Sequence, residues 1–432
     1  METNATRMCA LLVGLPDINV LGVEDEPTEP LRVHIETEPG VVGCAGCGTR
    51  AWLKDQRPAT LVDLAAFGRP AVLVWHKRRW RCPDRSCETG TFTEQCTAIA
   101  AGRAGVTDRA GRWMTSQVGH GRAVSAVAGE LGCDWHTVMD AVIAYGTPLV
   151  EDPDRIGEVI ALGLDETLFV RAGQWKRRSW VTSIVDVTSP SQLLDVVEGR
   201  TAKAPSAWLE ARPQAWRDGI EWAAMDLSGP YRKTFNDSLP DAIQVADPFH
   251  VIKLANSRLD DVRRRVQQDT LGHRGHKDDP LYRSRRLLTK AHERLDEKGE
   301  AKLLGFLEAG DPHGEVRMAW HAKEMLRGFY DQPADTAAAY LTDLAENVRD
   351  SDMPKELQQL GRTLRTWHDQ IVAWHQAQIS NGPTEATNSL IKMIKRVGFG
   401  FRRFENYRLR VLLYAGRPNW DLLATLTPAP PP

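Results

Sequence analysis

The sequence predicts a multidomain α/β protein in which a mixed sheet with helices on its faces carries a large all-helical insertion. A small zinc-binding β module and a helix-turn-helix precede that sheet. Three observations predict this. Cys44-Ala45-Gly46-Cys47 and Cys82-Pro83-Asp84-Arg85-Ser86-Cys87 are two closely spaced cysteine pairs in Gly- or Pro-marked turns of a strand-like region. The run Val159–Leu164 has no charge, ends on Asp165-Glu166, and opens a strand-rich segment. From Phe249 onward the apolar period is helical for roughly 130 residues.

Composition sets the outer bounds. A chain of 432 residues exceeds one average domain, and 42% hydrophobic content can fill ordinary cores. No run of about eighteen apolar residues exists, and Met1–Arg7 leads into only the short stretch Cys9–Leu15, which predicts a soluble, cytoplasmic protein. The net charge of −2 hides an asymmetry: Arg50–Arg122 holds 13 Lys/Arg against 6 Asp/Glu, and Glu385–Arg417 holds 8 against 2. Two basic blocks in a near-neutral chain suggest a polyanion touched at two places.

Taken in order, Leu11–Val13 and Leu31–Thr37 look like short strands leading into the first cysteine pair. Cys44, Cys47, Cys82 and Cys87 offer four soft ligands suited to one tetrahedral structural Zn²⁺, whereas Cys9, Cys96 and Cys133 lack such spacing and read as core residues. The competing reading is two unrelated buried-cysteine turns. Between the pairs, Lys77, Arg78, Arg79 and Arg81 interleave with Trp75 and Trp80, a pattern for phosphate contacts with stacking beside them or for a solvated edge strand. Residues 1–100 are therefore read as the zinc-binding domain.

Residues 101–150 turn helical. Ala123–Leu131, a turn at Gly132, and a second helix from Asp134 with Trp135, His136 and Thr137 on its first turn fit a DNA-binding helix-turn-helix. Glu151–Asp154 reads as a linker. Strands are then expected at 159–164, 179–188, 192–197, 219–225 and 242–246, with a helix at 206–212. Those strands would deliver Asp165, Asp226 and Asp247 at their ends. Beyond the helical insertion (256–377), Pro383 or Thr384 can start a helix with Glu385 in its first turn, Asn388 one turn on, then Lys392, Lys395 and Arg396. Arg402 and Arg403 follow in an aromatic, basic turn, and residues 421–432 read as a disordered tail.

Several strings together carry a family resemblance: the four cysteines, the helix pair near 123–142, Leu164-Asp165-Glu166, Val197-Glu198-Gly199-Arg200, Met225–Tyr231, Val245-Ala246-Asp247-Pro248-Phe249-His250-Val251, and Glu385 through Phe401. In these the chain resembles bacterial insertion-sequence transposases of the ISL-three group, with an Asp-Asp-Glu catalytic core on an RNase H-like fold. The resemblance implies a core from residues 151–255 and 378–420, with Asp165, Asp226 and Glu385 as catalytic carboxylates. They would hold two Mg²⁺ or Mn²⁺ ions for DNA strand cleavage and strand transfer. It prefers Asp226 over Asp247 as second ligand, because in such a sheet that ligand comes from the strand beside the first.

Asp247, His250, Glu166 and Asn388 become candidates for orienting those ligands. Adjacent residues on an extended strand face opposite ways, so Glu166 is expected to point away from Asp165. Asp226 could instead cap the following helix, and Glu385 could be an ordinary first-turn carboxylate. DNA contacts are expected at Lys77, Arg78, Arg79, Arg81, Trp135, His136, Thr137, Lys392, Lys395, Arg396, Arg402 and Arg403. The partners implied are double-stranded terminal inverted repeats, target DNA and a second copy of the chain in a synaptic dimer or larger assembly. The location implied is the bacterial cytosol, associated with the nucleoid. The rival readings are a catalytically silent DNA-binding repressor and a structure-specific nuclease of the same fold.

Overall fold

The computed structural model describes residue 2 and residues 4–38, 40–172 and 177–428. Helix α1 (Ala5–Val13) begins on Asn4, whose side chain accepts from the Arg7 N–H, and stops at Gly14 with φ +66. Leu11–Val13 are its last turn and not a strand; a left-handed glycine closes a helix that a three-residue apolar run does not announce.

Strands β1 (Ile18–Glu24), β2 (Leu31–Thr37), β3 (Trp52–Ala66), β4 (Arg69–Arg81) and β5 (Thr91–Thr93) form one sheet in the order β1-β2-β4-β3, with β5 on β4. The β2–β4 pairing is parallel and the others are antiparallel. Alternating residues of β2 and β4 bury Val33, Ile35, Leu73 and Trp75 in one core with Ile18, Leu61 and Ile99. Helices α2 (Asp108–Gly119), α3 (Val124–Leu131) and α4 (Trp135–Val150) follow. Gly132, at φ +65, ends α3, and Asp134 caps α4 by accepting from the Thr137 N–H at 2.7 Å. The two helices and the turn between them fall where the sequence places them.

The second sheet contains β6 (Ala161–Ala172), β7 (Arg177–Asp186), β8 (Gln192–Glu198), β9 (Trp222–Met225) and β10 (Ile243–Ala246), in the order β10-β9-β6-β7-β8. β6, β7 and β8 form an antiparallel meander, while β9 runs parallel to β6 and β10 parallel to β9. Ala161, Leu162 and Leu164 are fully buried, as expected of a strand covered on both faces. β6 does not stop at Asp165. Its parallel partner ends at Met225, opposite Leu164, but the hairpin with β7 continues to Ala172, so Asp165 and Glu166 lie within β6 opposite Ser183 and Thr182. Helices α5 (Lys203–Glu210), α6 (Gln214–Asp218) and α7 (Gly229–Ser238) fill the connections.

From α8 (Pro248–Leu271) the chain is helical as expected. α9 (Pro280–Thr289), α10 (Glu297–Gly310), α11 (Glu315–Phe329), α12 (Ala334–Asn347) and α13 (Lys355–Thr366) are followed by the short α14 (His368–Val372) and α15 (Trp374–Ala377). Trp320 and Trp367 are buried packing residues. α16 (Gly382–Val397) and α17 (Phe404–Ala415) complete the helices. The tail expected to be disordered from residue 421 is ordered at its start: Trp420–Ala424 forms a 3₁₀ turn, with Trp420 stacked on His120 at 4.8 Å and Leu423 buried. Two large apolar side chains suffice to anchor it; residues 429–432 lie outside the described residues.

The chain divides into two compact units, residues 1–156 with 390–432, and residues 157–389, the boundary falling inside α16. The basic segment after Ser389, grouped from sequence with the carboxylate strands, packs with the N-terminal elements. No helix among the described residues is long and apolar enough to cross a membrane.

Candidate metal centres

In the first unit the four cysteines converge. Cys44 Sγ lies 3.7 Å from Cys87 Sγ, and Cys47 Sγ lies 3.5 Å from Cys82 Sγ. A tetrahedron with Zn–S bonds of about 2.3 Å has edges of about 3.8 Å, so these sulfurs are spaced for one ion and too far apart for a disulfide. Backbone N–H groups of Cys47 and Gly46 hold the Cys44 thiol down to about 6, Thr49 lowers Cys47, and burial pushes Cys82 up to about 12. Gly46 has a packing reason: a Cβ there would fall 2.2 Å from Thr89 Oγ1 and 3.4 Å from Cys87 Sγ.

In the second unit three adjacent parallel strands deliver the acids. Asp165 continues β6 from Leu164, Asp226 follows Met225, and Asp247 follows Ala246, with the Asp247 N–H bonded to the Met225 carbonyl at 2.9 Å. Carboxylate oxygens of Asp165, Glu166 and Asp226 all lie within 4.8 Å of one another. The expectation that Glu166 points away does not hold. The Asp165 carboxylate folds along the strand to accept from the Glu166 N–H and from Asn388 Nδ2, both at 2.8 Å, so neighbours whose Cβ atoms leave the sheet on opposite faces still bring oxygens together.

Electrostatics mark Asp226 as the least satisfied member. Burial pushes its carboxyl up to about 7, and Glu166 and Asp165 add to the shift. Its Oδ1 is buried with no hydrogen-bond partner, and Ser228, not Asp226, is the N-cap residue of α7. Burial also raises Asp165, with Asn388 and the Glu166 N–H opposing it. A buried acid with an orphaned oxygen beside two further carboxylates fits a hard divalent cation.

Asp247 is differently placed. It is 2% exposed; Oδ1 accepts from the Asn381 N–H at 2.8 Å, and Oδ2 accepts from the His250 N–H at 3.2 Å and meets His250 Nδ1 at 3.0 Å. Both oxygens are thus engaged in capping α8 and fixing the start of α16. The hydrogen bond with Asp247 raises the His250 imidazole above its ordinary value despite partial burial. His250 Nε2 in turn lies 3.8 Å from Glu385 Oε1, and Glu385 raises Asp165 through its charge while standing outside the three-carboxylate group.

Two residues position the Glu385 helix and carried no sequence signal. Asn381 Nδ2 donates to the Leu164 carbonyl at 3.0 Å, while its backbone N–H holds Asp247. Gly163 allows the approach: a Cβ there would lie 2.5 Å from Thr384 Oγ1 and 2.7 Å from Asn381 Oδ1. Asn388 is buried and bridges the sheet, accepting from Ser183 Oγ at 2.6 Å while it donates to Asp165.

Of the expected DNA contacts, Trp135, His136, Arg81, Lys392, Arg396, Arg402 and Arg403 are exposed, and Thr137, Lys395, Lys77 and Arg79 are partly buried. Arg78 is the exception. It is 6% exposed, paired with Glu36 at 3.1 Å and Glu94 at 3.4 Å, and bonded to Thr37, so it braces the sheet and presents no free cation. Trp75 and Trp80 are buried as well, which removes them as stacking surfaces; Trp75 carries Lys77 over its ring at 4.1 Å. Trp75 shares with Leu73 the face of β4 that packs in the core, whereas Arg78 and Trp80 leave the opposite face and are buried there, so β4 is covered on both faces along this stretch.

A mixed sheet that gathers carboxylates around an orphaned oxygen, in a chain with four converging cysteines and two basic blocks, fits a protein that acts on a polyanion such as DNA. The comparisons carry this to a family. Residues 162–411 match the ISL3-type DDE transposase domain, and residues 40–87 match the zinc finger of the transposases of IS204, IS1001, IS1096 and IS1165. The chain belongs to the ISL3 family of insertion-sequence transposases. It is 26% identical over 400 residues to the transposase for insertion sequence element IS1001 of Bordetella parapertussis, covering 90% of this chain and 92% of that one. It is 25% identical over 397 residues to the transposase for insertion sequence element IS1557 of Mycobacterium tuberculosis, covering 83% and 87%.

Proposed function

We propose that this transposase binds the terminal inverted repeats of its own element and cuts and rejoins DNA strands at Asp165, Asp226 and Glu385. The observation that carries the reading is the meeting of Asp165, Glu166 and Asp226 within 4.8 Å around a buried Asp226 oxygen that lacks a partner. The sheet order β10-β9-β6-β7-β8, with β7 antiparallel to β6, supports an RNase H-like core. Paired Mg²⁺ ions held there would activate a water or a 3′-hydroxyl and stabilise the leaving oxygen of the phosphodiester.

The chain's own residues set up that chemistry. Asn388 turns the Asp165 carboxylate, Asp247 fixes His250 and the start of α16, and α16 presents Glu385 from its first turn. The zinc ribbon and the α3–α4 pair, read as a helix-turn-helix, supply sequence recognition, with the basic residues of the two blocks on phosphates. A dimer or larger synaptic complex in the bacterial cytosol holds two element ends together.

The test is incubation of the full-length protein with a donor carrying its own ends, in Mg²⁺ and then in EDTA. Cleaved and joined products in Mg²⁺ alone are expected. Products that form in EDTA would overturn the metal mechanism, and bound but intact ends in Mg²⁺ would turn the reading toward a repressor.

A further inference from the structure

The first unit contains a cavity of 680 Å³ between the start of α4 and the turn that joins α16 to α17. Trp135 and His136 line one side, and Phe399, Phe401, Arg402 and Arg403 the other. Two features set it apart from an ordinary surface cleft.

The first is Arg410, which also lines the cavity. It is 3% exposed, donates from Nη2 to the Arg122 carbonyl at 3.1 Å, and lies 5.5 Å from the Phe401 ring. Its Nε is buried without a partner, and among the described residues no carboxylate forms an ion pair with it. Burial lowers its pKa to about 10, which still leaves it a cation at neutral pH. A buried, unpaired guanidinium beside open space is placed for an anion, and its planar fork suits a phosphate. Asp140, exposed on α4, is the single carboxylate in the lining, against three arginines.

The second is Phe399. It has φ +52, a left-handed conformation that is costly for an aromatic residue, and is 92% exposed. Folding gains little from an apolar ring held in water on a strained turn. Such a ring matches the wedge with which DNA-bending proteins part a base step, and the aromatic walls beside it match the surface on which an unstacked base is held.

We propose that this cavity receives one unstacked nucleotide of bound DNA, its base against Trp135 and Phe401, its phosphate toward Arg410, and Phe399 inserted into the vacated step. The inference rests on DNA binding by this transposase and adds a site distinct from the acidic centre.

Fluorescence anisotropy of the full-length zinc-loaded protein tests it, using two labelled 25-base-pair duplexes at one salt concentration. One duplex is fully paired; the other carries a central unpaired 2-aminopurine, whose unstacking is already accomplished. The unpaired duplex is expected to bind tighter by on the order of tenfold, because a base that is already unpaired is the least costly to extrude. Phe399→Ala, at an exposed position that folding does not depend on, is expected to bring the ratio of the two affinities to about one. Arg410→Met, if it melts as the unmodified protein does, is expected to do the same. Equal affinity of the unmodified protein for the two duplexes, or a ratio unchanged in Phe399→Ala, overturns the inference while leaving DNA binding in place. Failure to bind either duplex overturns the DNA-binding reading and the inference together.

Discussion

The four sulfurs of the first unit come from two short turns beside one sheet, whereas the three carboxylates of the second come from strands separated by a meander and two helices. At the sulfur centre, backbone N–H groups favour the thiolate at Cys44, and the Thr49 side chain, with its backbone N–H, favours it at Cys47. At the acidic centre, burial and mutual repulsion push Asp226 up to about 7, and the nearby His250 is committed to Asp247. The contrast teaches that four converging thiols suit a centre that helps to fold its module, while the second is a concentration of buried charge that a bound cation would relieve. Breaking the first is expected to remove stability and breaking the second to return some.

The sharpest way to break that contrast is Cys82→Ser. A structural zinc is worth on the order of 10–16 kcal/mol of apparent binding, so the variant is expected to lose its zinc and expose residues 1–100 to proteolysis. Metal analysis and limited proteolysis check this; retained zinc with a protected module would remove the structural role.

Asp226→Asn is expected to abolish Mg²⁺-dependent cleavage yet make the metal-free protein more stable, by about 1–3 kcal/mol at pH 8. The sign follows from the raised pKa. Stability from the protonated carboxyl is fully present below the unfolded value of 3.8 and lost as pH rises through about 7. The advantage of the variant should therefore close as pH falls toward 4. Denaturant melts in EDTA at the two pH values measure it, and an advantage at pH 8 that persists at pH 4 would contradict the assignment.

Asp247→Asn should have the opposite sign. Both oxygens accept hydrogen bonds in the native state, so the change is expected to cost about 1–3 kcal/mol even without metal. Should Asp247→Asn abolish cleavage without loss of stability while Asp226→Asn stays active, the second ligand would be Asp247. Gly163→Ala is expected to be milder, about 1–2 kcal/mol, because the new Cβ meets Thr384 Oγ1 and the Asn381 side chain. Reduced cleavage that partly recovers at higher Mg²⁺ would show that it acts by displacing the start of α16.

Much of both centres was legible because their ligands sit in patterns the chain cannot hide. Cysteine pairs in turns and an uncharged run ending in acids need no partner to be recognised. The strands from β6 to β10 and the Gly132 turn are likewise local signals. Glu166 departs from the sequence expectation because strand alternation fixes where Cβ points and not where a carboxylate ends. Arg78 has the sequence character of a DNA contact, but Glu36 and Glu94 pair with it, and Trp75 and Trp80 are buried on opposite faces of β4. Trp420 and Leu423 order a segment whose proline-rich end suggested disorder.

By itself the sequence determined which residue types were available and their local periodicity: four thiols for zinc, acids at the ends of apolar runs, and basic turns after α16. Tertiary structure alone decided which of them meet. Asp226 acquires an orphaned oxygen, Asp247 has both oxygens engaged, and Gly163 admits Asn381 only because strands and helices distant in sequence are packed within a few ångströms. Desolvation and hydrogen-bond satisfaction are properties of that packing, which local sequence does not encode.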